Sequence, residues 1–233
     1  MKYYLHRDVS WMYFNYRILQ EARKEHVPLL ERLTFLGIYS NNLDEFYRVR
    51  MATLSRIADY EDKSARSQQE ESRLLIKQIN KLNNKYSKEF EQTIAEIKEK
   101  LCEENICLIG VDELSEEQQF VHSFFQQKLS GYINPIWLSA VKQIADETDE
   151  NIYLAIKMSD GNGKSRHNYA LIALPVTVCG RFVRLPDGDG KSFLMYLDDV
   201  IRFCLPKIFA GTGYTEFKAH TFKFTKDAEM EID

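Results

Sequence analysis

Proline and glycine are spread very unevenly along this chain, and that constrains its fold more than any other feature. Of five prolines and ten glycines, only Pro28 and Gly37 lie in the first 106 of the 233 residues. Proline removes a backbone donor and glycine loosens the backbone, so a stretch with almost neither can run in long helices. A stretch that holds both must turn repeatedly. Residues 1–106 therefore read as an all-α region and residues 107–233 as an α+β region, with the junction between Asn105 and Gly110.

Within the first region, a helix is expected to start after Asp8 or Ser10, both capping residue types. Trp11, Phe14, Ile18, Leu19 and Ala22 form its apolar stripe. Pro28 suits the first turn of a second helix, where its missing N–H would have no partner. Leu29, Leu30, Leu33, Leu36 and Gly37 give that helix its face. Asn41-Asn42 is expected to interrupt it, because asparagine competes for backbone hydrogen bonds. A third helix would then run from about Leu43 to Ile57, with Asp44 and Glu45 at its positive end. Residues 59–72 read as a polar loop or a frayed helix start. Beyond them Leu75, Ile79, Leu82, Tyr86, Phe90, Ile94, Ile97 and Leu101 recur at steps of 4, 3, 4, 4, 4, 3 and 4. That period predicts one long amphipathic helix packed across the first three, with a coiled-coil seam as the alternative.

In the second region, Ser115-Glu116-Glu117-Gln118 has the form of a capping box and predicts a helix to about Tyr132. Residues 152–158, 168–174, 180–185 and 217–224 read as strands. Ser159-Asp160-Gly161-Asn162-Gly163-Lys164 and Asp187-Gly188-Asp189-Gly190 read as turns. Asp198-Asp199 opens a helix through Val200, Ile201, Phe203, Cys204 and Ile208. This order points to an antiparallel sheet carrying helices on one side.

Charge and composition exclude several classes. With 31 Lys+Arg against 35 Asp+Glu the net charge is -4, which disfavours a nucleic-acid partner. No apolar run nears the roughly 18–20 residues that span a bilayer, and the first eight residues lack the core of a secretion signal. Cys102, Cys107, Cys179 and Cys204 do not resemble a disulfide framework in a chain this long. The expectation is a soluble, reduced, cytoplasmic protein. The five histidines have no i, i+4 pair, and Cys102 and Cys107 have no second Cys/His pair nearby, so no metal site is expected. Gly161-Asn162-Gly163-Lys164-Ser165 superficially resembles a phosphate loop, but it lacks the leading glycine and sits in a hairpin.

Gly37 to Arg50 is different. Asn41, Asn42, Asp44, Glu45, Phe46, Tyr47, Arg48 and Arg50 crowd an expected helix break. A carboxamide donates and accepts at once, which suits the edge of an adenine, and free N–H groups at a helix start favour an anion. The plainer reading is that Asn42 caps the third helix.

Arg7-Asp8-Val9-Ser10-Trp11-Met12-Tyr13-Phe14-Asn15-Tyr16-Arg17-Ile18-Leu19-Gln20-Glu21-Ala22 resembles the opening of the bacterial polyphosphate kinase family. Val27-Pro28-Leu29-Leu30-Glu31-Arg32-Leu33-Thr34-Phe35-Leu36, leading into Gly37 to Arg50, resembles it too. Spacing and order match over the first 57 residues. The likeness continues through Arg181 to Pro186, Leu197 to Arg202 and Thr225 to Glu229, with departures at Lys226, where the family usually carries Arg, and at Gly180, where it often has Pro.

The resemblance implies that residues 1–106 are a helical N-terminal domain and residues 107–233 an α+β head domain that forms a homodimer. It implies reversible transfer of the ATP terminal phosphate to polyphosphate through a phosphohistidine, with Mg²⁺, on a cytoplasmic protein or one peripheral at the inner membrane face. ATP, ADP and polyphosphate are the implied partners. The asparagine near the adenine maps to Asn42, and Asn41, Arg48 and Arg50 are candidate neighbours, with a salt bridge to Glu45 or a nearby acid as the other role for the arginines. The family's phosphorylated histidine, magnesium ligands and phosphate clamp lie in C-terminal phospholipase-D-like domains, and none of the five histidines here matches that motif. The expectation is an N-terminal portion with no catalytic residue of its own, inactive alone. The alternative is a non-catalytic protein-interaction module.

Overall fold

The computed structural model describes residues 4–60, 66–115, 117–139, 152–161 and 167–223. Glu116, the phosphate-loop-like residues 162–165, Phe224 and the matching residues 225–229 lie outside these. In chain order the elements are α1 (Arg7–Ala22), α2 (Leu29–Phe46), α3 (Ala52–Asp59), α4 (Arg66–Glu103), β1 (Ile106–Leu108), α5 (Gln118–Phe124), β2 (Ile136–Trp137), β3 (Ile152–Ser159), β4 (His167–Ala173), α6 (Val176–Cys179), β5 (Phe182–Arg184), β6 (Ser192–Tyr196), α7 (Leu197–Ile208) and β7 (Glu216–Lys223). The chain forms two compact units, the first running to Leu101 and the second beginning at Cys102. No helix among the described residues is long and apolar enough to cross a membrane.

In the first unit, α1 starts earlier than the capping residues suggest. His6 is its cap, and the imidazole Nδ1 accepts from the Asp8 N–H at 3.2 Å. The buried face is Val9, Met12, Asn15, Leu19 and Ala22, while Phe14, expected in the stripe, is 62% exposed. Pro28 precedes the first turn of α2, and its carbonyl accepts from Arg32 N–H.

The expected break at Asn41-Asn42 does not occur. The helix runs through both residues to Phe46, passes through a π-helical turn at Tyr47–Met51 and continues directly as α3. Asp44 and Glu45 therefore sit in mid-helix, and Asn42 caps nothing. A tertiary hydrogen bond from Asn42 to Asn15 takes up the amide that would otherwise compete with the backbone.

The 38-residue α4 begins within the stretch read as a loop, and Ile79, Tyr86, Ile97 and Leu101 of its stripe are buried against α1 and α2. Arg32, only 1% exposed, joins the three helices. Its Nε donates to the Ala22 carbonyl at 2.6 Å and its Nη2 to Glu96 at 3.1 Å. The first bond satisfies a carbonyl that the end of α1 leaves without a helical partner.

The second unit opens with a correction to the reduced-thiol expectation. Cys102 and Cys107 are disulfide-bonded. Asn105 takes a left-handed conformation (φ 64°) and folds the chain back, bringing the two Cα atoms to 4.3 Å. Two sheets follow. β2, β4, β3 and β7 form the expected antiparallel sheet in the order β2-β4-β3-β7. A second sheet, in the order β1-β6-β5, pairs β1 with β6 in parallel. Its strands are short, and β1 and β6 carry no turn signal linking them, so local pattern did not foretell it.

The capping box is not formed either. Gln118 reaches back to the Leu114 carbonyl, and the Ser115 N–H donates to Glu117. The helix still reaches Tyr132, through a π-helical turn at Phe125–Leu129 and a 3-10 turn at Ser130–Tyr132. Leu154, Ile156, Met158 and Ile172 from the larger sheet pack with Val200, Ile201, Cys204 and Leu205 of α7 to make the core.

Candidate functional site

Helices α1 and α2 run antiparallel, and three polar pairs mark their register. Asp8 meets Arg50, Asn15 meets Asn42, and the Ala22 carbonyl meets Arg32. Between the first two lies a cleft of about 490 Å³, lined by Arg7, Asp8, Trp11 and Phe14 from α1 and by Asn42, Glu45, Phe46, Val49 and Arg50 from the other side. Trp11 and Phe46 stack at 4.3 Å with their planes 9° apart, giving it a flat apolar wall.

Arg50 grips Asp8 with both arms, Nε to Oδ1 and Nη2 to Oδ2, each at 3.1 Å. Asp8 is 2% exposed, so this is a buried charge answered by a bidentate partner. A π-helical turn holds one residue more than an α-helical turn and rotates the helix beyond it, and such turns recur at functional sites. Here the turn carries Arg50 to Asp8.

Asn42 is half-buried. Its Nδ2 donates to Asn15 Oδ1 at 3.1 Å, and Asn15 Nδ2 donates to the Tyr39 carbonyl at 3.1 Å. Among the described residues the Asn42 carboxamide oxygen makes no hydrogen bond. Of the other expected neighbours, Arg50 lines the cleft, while Asn41 and Arg48 lie outside its lining. The partner of Arg50 is Asp8, not Glu45.

Asp8, Trp11, Phe14 and Asn15 complete the site and were not singled out by sequence reading. Asp8 and Asn15 lie seven residues apart on the helix face that carries Val9, Met12 and Leu19. Polar residues on an apolar face are the signal that could have found them. Behind the cleft, Tyr39 has a buried hydroxyl with no hydrogen-bond partner among the described residues. Burial pushes Tyr39 up to about 12, and Tyr86 likewise to about 12.

The second unit holds two other polar groupings. Asp198, at the start of α7, accepts from Arg181 and Thr221, while Arg202 pairs with Asp199 and donates to Thr221 and the Ala219 carbonyl. Burial pushes the Asp198 carboxyl up, but the hydrogen bonds from Arg181 and Thr221 outweigh it and hold the group below its usual range. The Cys204 sulfur lies 3.9 Å from His122 Nδ1. Burial raises that thiol to about 11, and burial together with Lys207 lowers the imidazole. Both shifts oppose a thiolate–imidazolium pair.

Two domain models match the chain: "Polyphosphate kinase N-terminal domain" over residues 4–109 and "Polyphosphate kinase middle domain" over residues 116–233. Polyphosphate kinase from Vibrio parahaemolyticus is 33% identical over 99% of this chain, and that from Escherichia coli K12 is 36% identical over 99%. The chain spans about a third of the length of these relatives, 33% and 34% respectively. The crystal structure of polyphosphate kinase from Porphyromonas gingivalis superposes with a TM-score of 0.79 at 26% identity, covering 98% of this chain and 34% of that one. Matched along almost its whole length by both domain models and by these relatives, the chain belongs to the polyphosphate kinase family.

Proposed function

We propose that this chain is the adenine-contacting and assembling part of an ATP–polyphosphate phosphotransferase, and that the cleft between α1 and α2 receives the base. The observation that carries this is the Asn42 carboxamide, on the cleft wall with its oxygen unengaged among the described residues, beside the Trp11–Phe46 stack. An amide edge and a flat apolar wall together suit a purine. The charges lining the cleft are Arg7 and Arg50 against Asp8 and Glu45, a formally neutral set. That balance suits a base better than a triphosphate, whose transfer depends on clustered cations. The phosphoryl transfer itself is assigned to residues beyond those described, in keeping with the chain's one-third share of its relatives.

The family also implies Mg²⁺. Among the described residues no three His, Cys, Asp or Glu side chains group where an ion could sit, so they do not fit that ion and no step is routed through it. Assembly as a homo-oligomer through residues 107–233, polyphosphate as the second substrate, and a cytoplasmic or membrane-peripheral location follow from the family resemblance.

Calorimetric titration with ATP tests the proposal. Asn42→Ala should weaken binding about tenfold, the loss of one good base contact, whereas the control Asn41→Ala, outside the cleft lining, should not. Unchanged affinity in Asn42→Ala, with stability reduced, would leave Asn42 a helix–helix tie in an interaction module.

A further inference from the structure

We infer that Asn15 is a positioning residue that fixes which way round Asn42 faces the cleft, and so makes the cleft prefer a 6-aminopurine nucleotide to a 6-oxopurine one. This rests on the reading of the cleft as a nucleotide site.

The Tyr39 carbonyl lies in the body of α2 and can only accept a hydrogen bond. The Asn15 side chain, in a residue 1% exposed, meets it at 3.1 Å, so the Asn15 amino group must face Tyr39. The Asn15 oxygen then faces the other way, toward the Asn42 side chain 3.1 Å distant. That oxygen can only accept as well. Asn42 must therefore turn its amino group to Asn15 and its own oxygen away. An isolated carboxamide can be turned over with little change in shape. These two cannot, because a backbone carbonyl sets the first and the first sets the second. What Asn42 holds ready at the cleft wall is an acceptor. The exocyclic amine of adenine is a donor and matches it, while the 6-oxo group of guanine is another acceptor and opposes it.

Removing the Asn15 amide while keeping its bulk frees Asn42 to rotate and meet either purine. Equilibrium binding of ATP and GTP to the unaltered chain, Asn15→Leu and Asn42→Ala makes the test. The unaltered chain should favour ATP about tenfold, and Asn15→Leu should bring the two affinities to within about threefold of each other. A general loosening of the helix pair would weaken both nucleotides alike, so an unchanged GTP-to-ATP ratio in Asn15→Leu overturns the proposal. Failure of the unaltered chain to bind ATP, or full ATP affinity in Asn42→Ala, would instead overturn the parent reading and this one with it. Should Asn15→Leu not fold, side-chain amide exchange in the unaltered chain decides. Slow exchange of the Asn15 and Asn42 amino protons, against fast exchange at exposed Asn41, is the expected result. Exchange at Asn42 as fast as at Asn41 would overturn the relay.

Discussion

Each unit of this chain buries polar side chains, and the two complete them differently. In the second, Asp198 is closed in by Arg181 and Thr221, and Arg202 ties the same strand and helix together. In the first, the chain from the Tyr39 carbonyl through Asn15 to Asn42 is made of neutral amides and ends on an oxygen with no partner among the described residues. Leaving a buried charge unanswered is strongly unfavourable, whereas a half-buried amide oxygen facing a cleft costs little. Ionic clusters therefore tend to be closed, and an amide relay can end open. That is why the first unit, not the more highly charged cluster of the second, carries the candidate binding site.

The contrast can be broken at its strongest point first. Asp198→Ala should destabilise the second unit by about 3 kcal/mol, because it leaves Arg181 facing a buried gap. Denaturant unfolding followed by a probe in that unit measures it, and a loss under about 1 kcal/mol would mean that the cluster is solvated and not closed.

Next come the opposite responses to pH. Asp198 is held below its ordinary value in the fold, so the unfolded chain binds more protons as pH falls past that value. The stabilisation is present above the unfolded carboxylate pKa and is lost as pH drops through the folded one. Tyr39 and Tyr86 are raised to about 12, so their contribution is intact below the unfolded tyrosine pKa and is lost as pH rises toward about 12. Acid should therefore weaken the second unit, and alkali the first. Tyrosinate absorbance rising together with loss of helical signal would bear this out. Titration of all tyrosines near 10 in the folded chain would sink it.

The smallest effect is on the larger sheet. Lys157 and Lys218 stand directly opposite one another on β3 and β7, and like charges in that register repel. Lys218→Glu should raise stability by roughly 0.5 kcal/mol, read as a small upward shift of the thermal midpoint that salt diminishes.

Much of the architecture was legible because its signals are local. The α4 stripe needs only its own period, Pro28 needs only its own ring, and β3 and β4 show their hydrophobic runs directly. What was hidden depends on partners far along the chain. Asn41-Asn42 has the local chemistry of a helix break, and only Asn15, 27 residues from Asn42, overrides it. The parallel pairing of β1 with β6 and the Cys102–Cys107 bond arise from chain reversals that short strands and isolated cysteines do not announce. In the candidate site, the α2 side of the cleft was legible as a cluster of amides, acids and arginines. The α1 side was not, since Asp8 and Asn15 are single polar residues among apolar ones.

The π-helical turn at Tyr47–Met51 also bears on how this segment can change length. It is one residue of insertion held inside a continuous rod. Deleting one residue there would regularise the helix and swing everything beyond it back by about 100°, while leaving Asn42 and the elements before it in phase. Chains differing by one residue at this place would keep the amide side of the cleft and lose the arginine side, so an indel, not a substitution, is the mutation that separates the two.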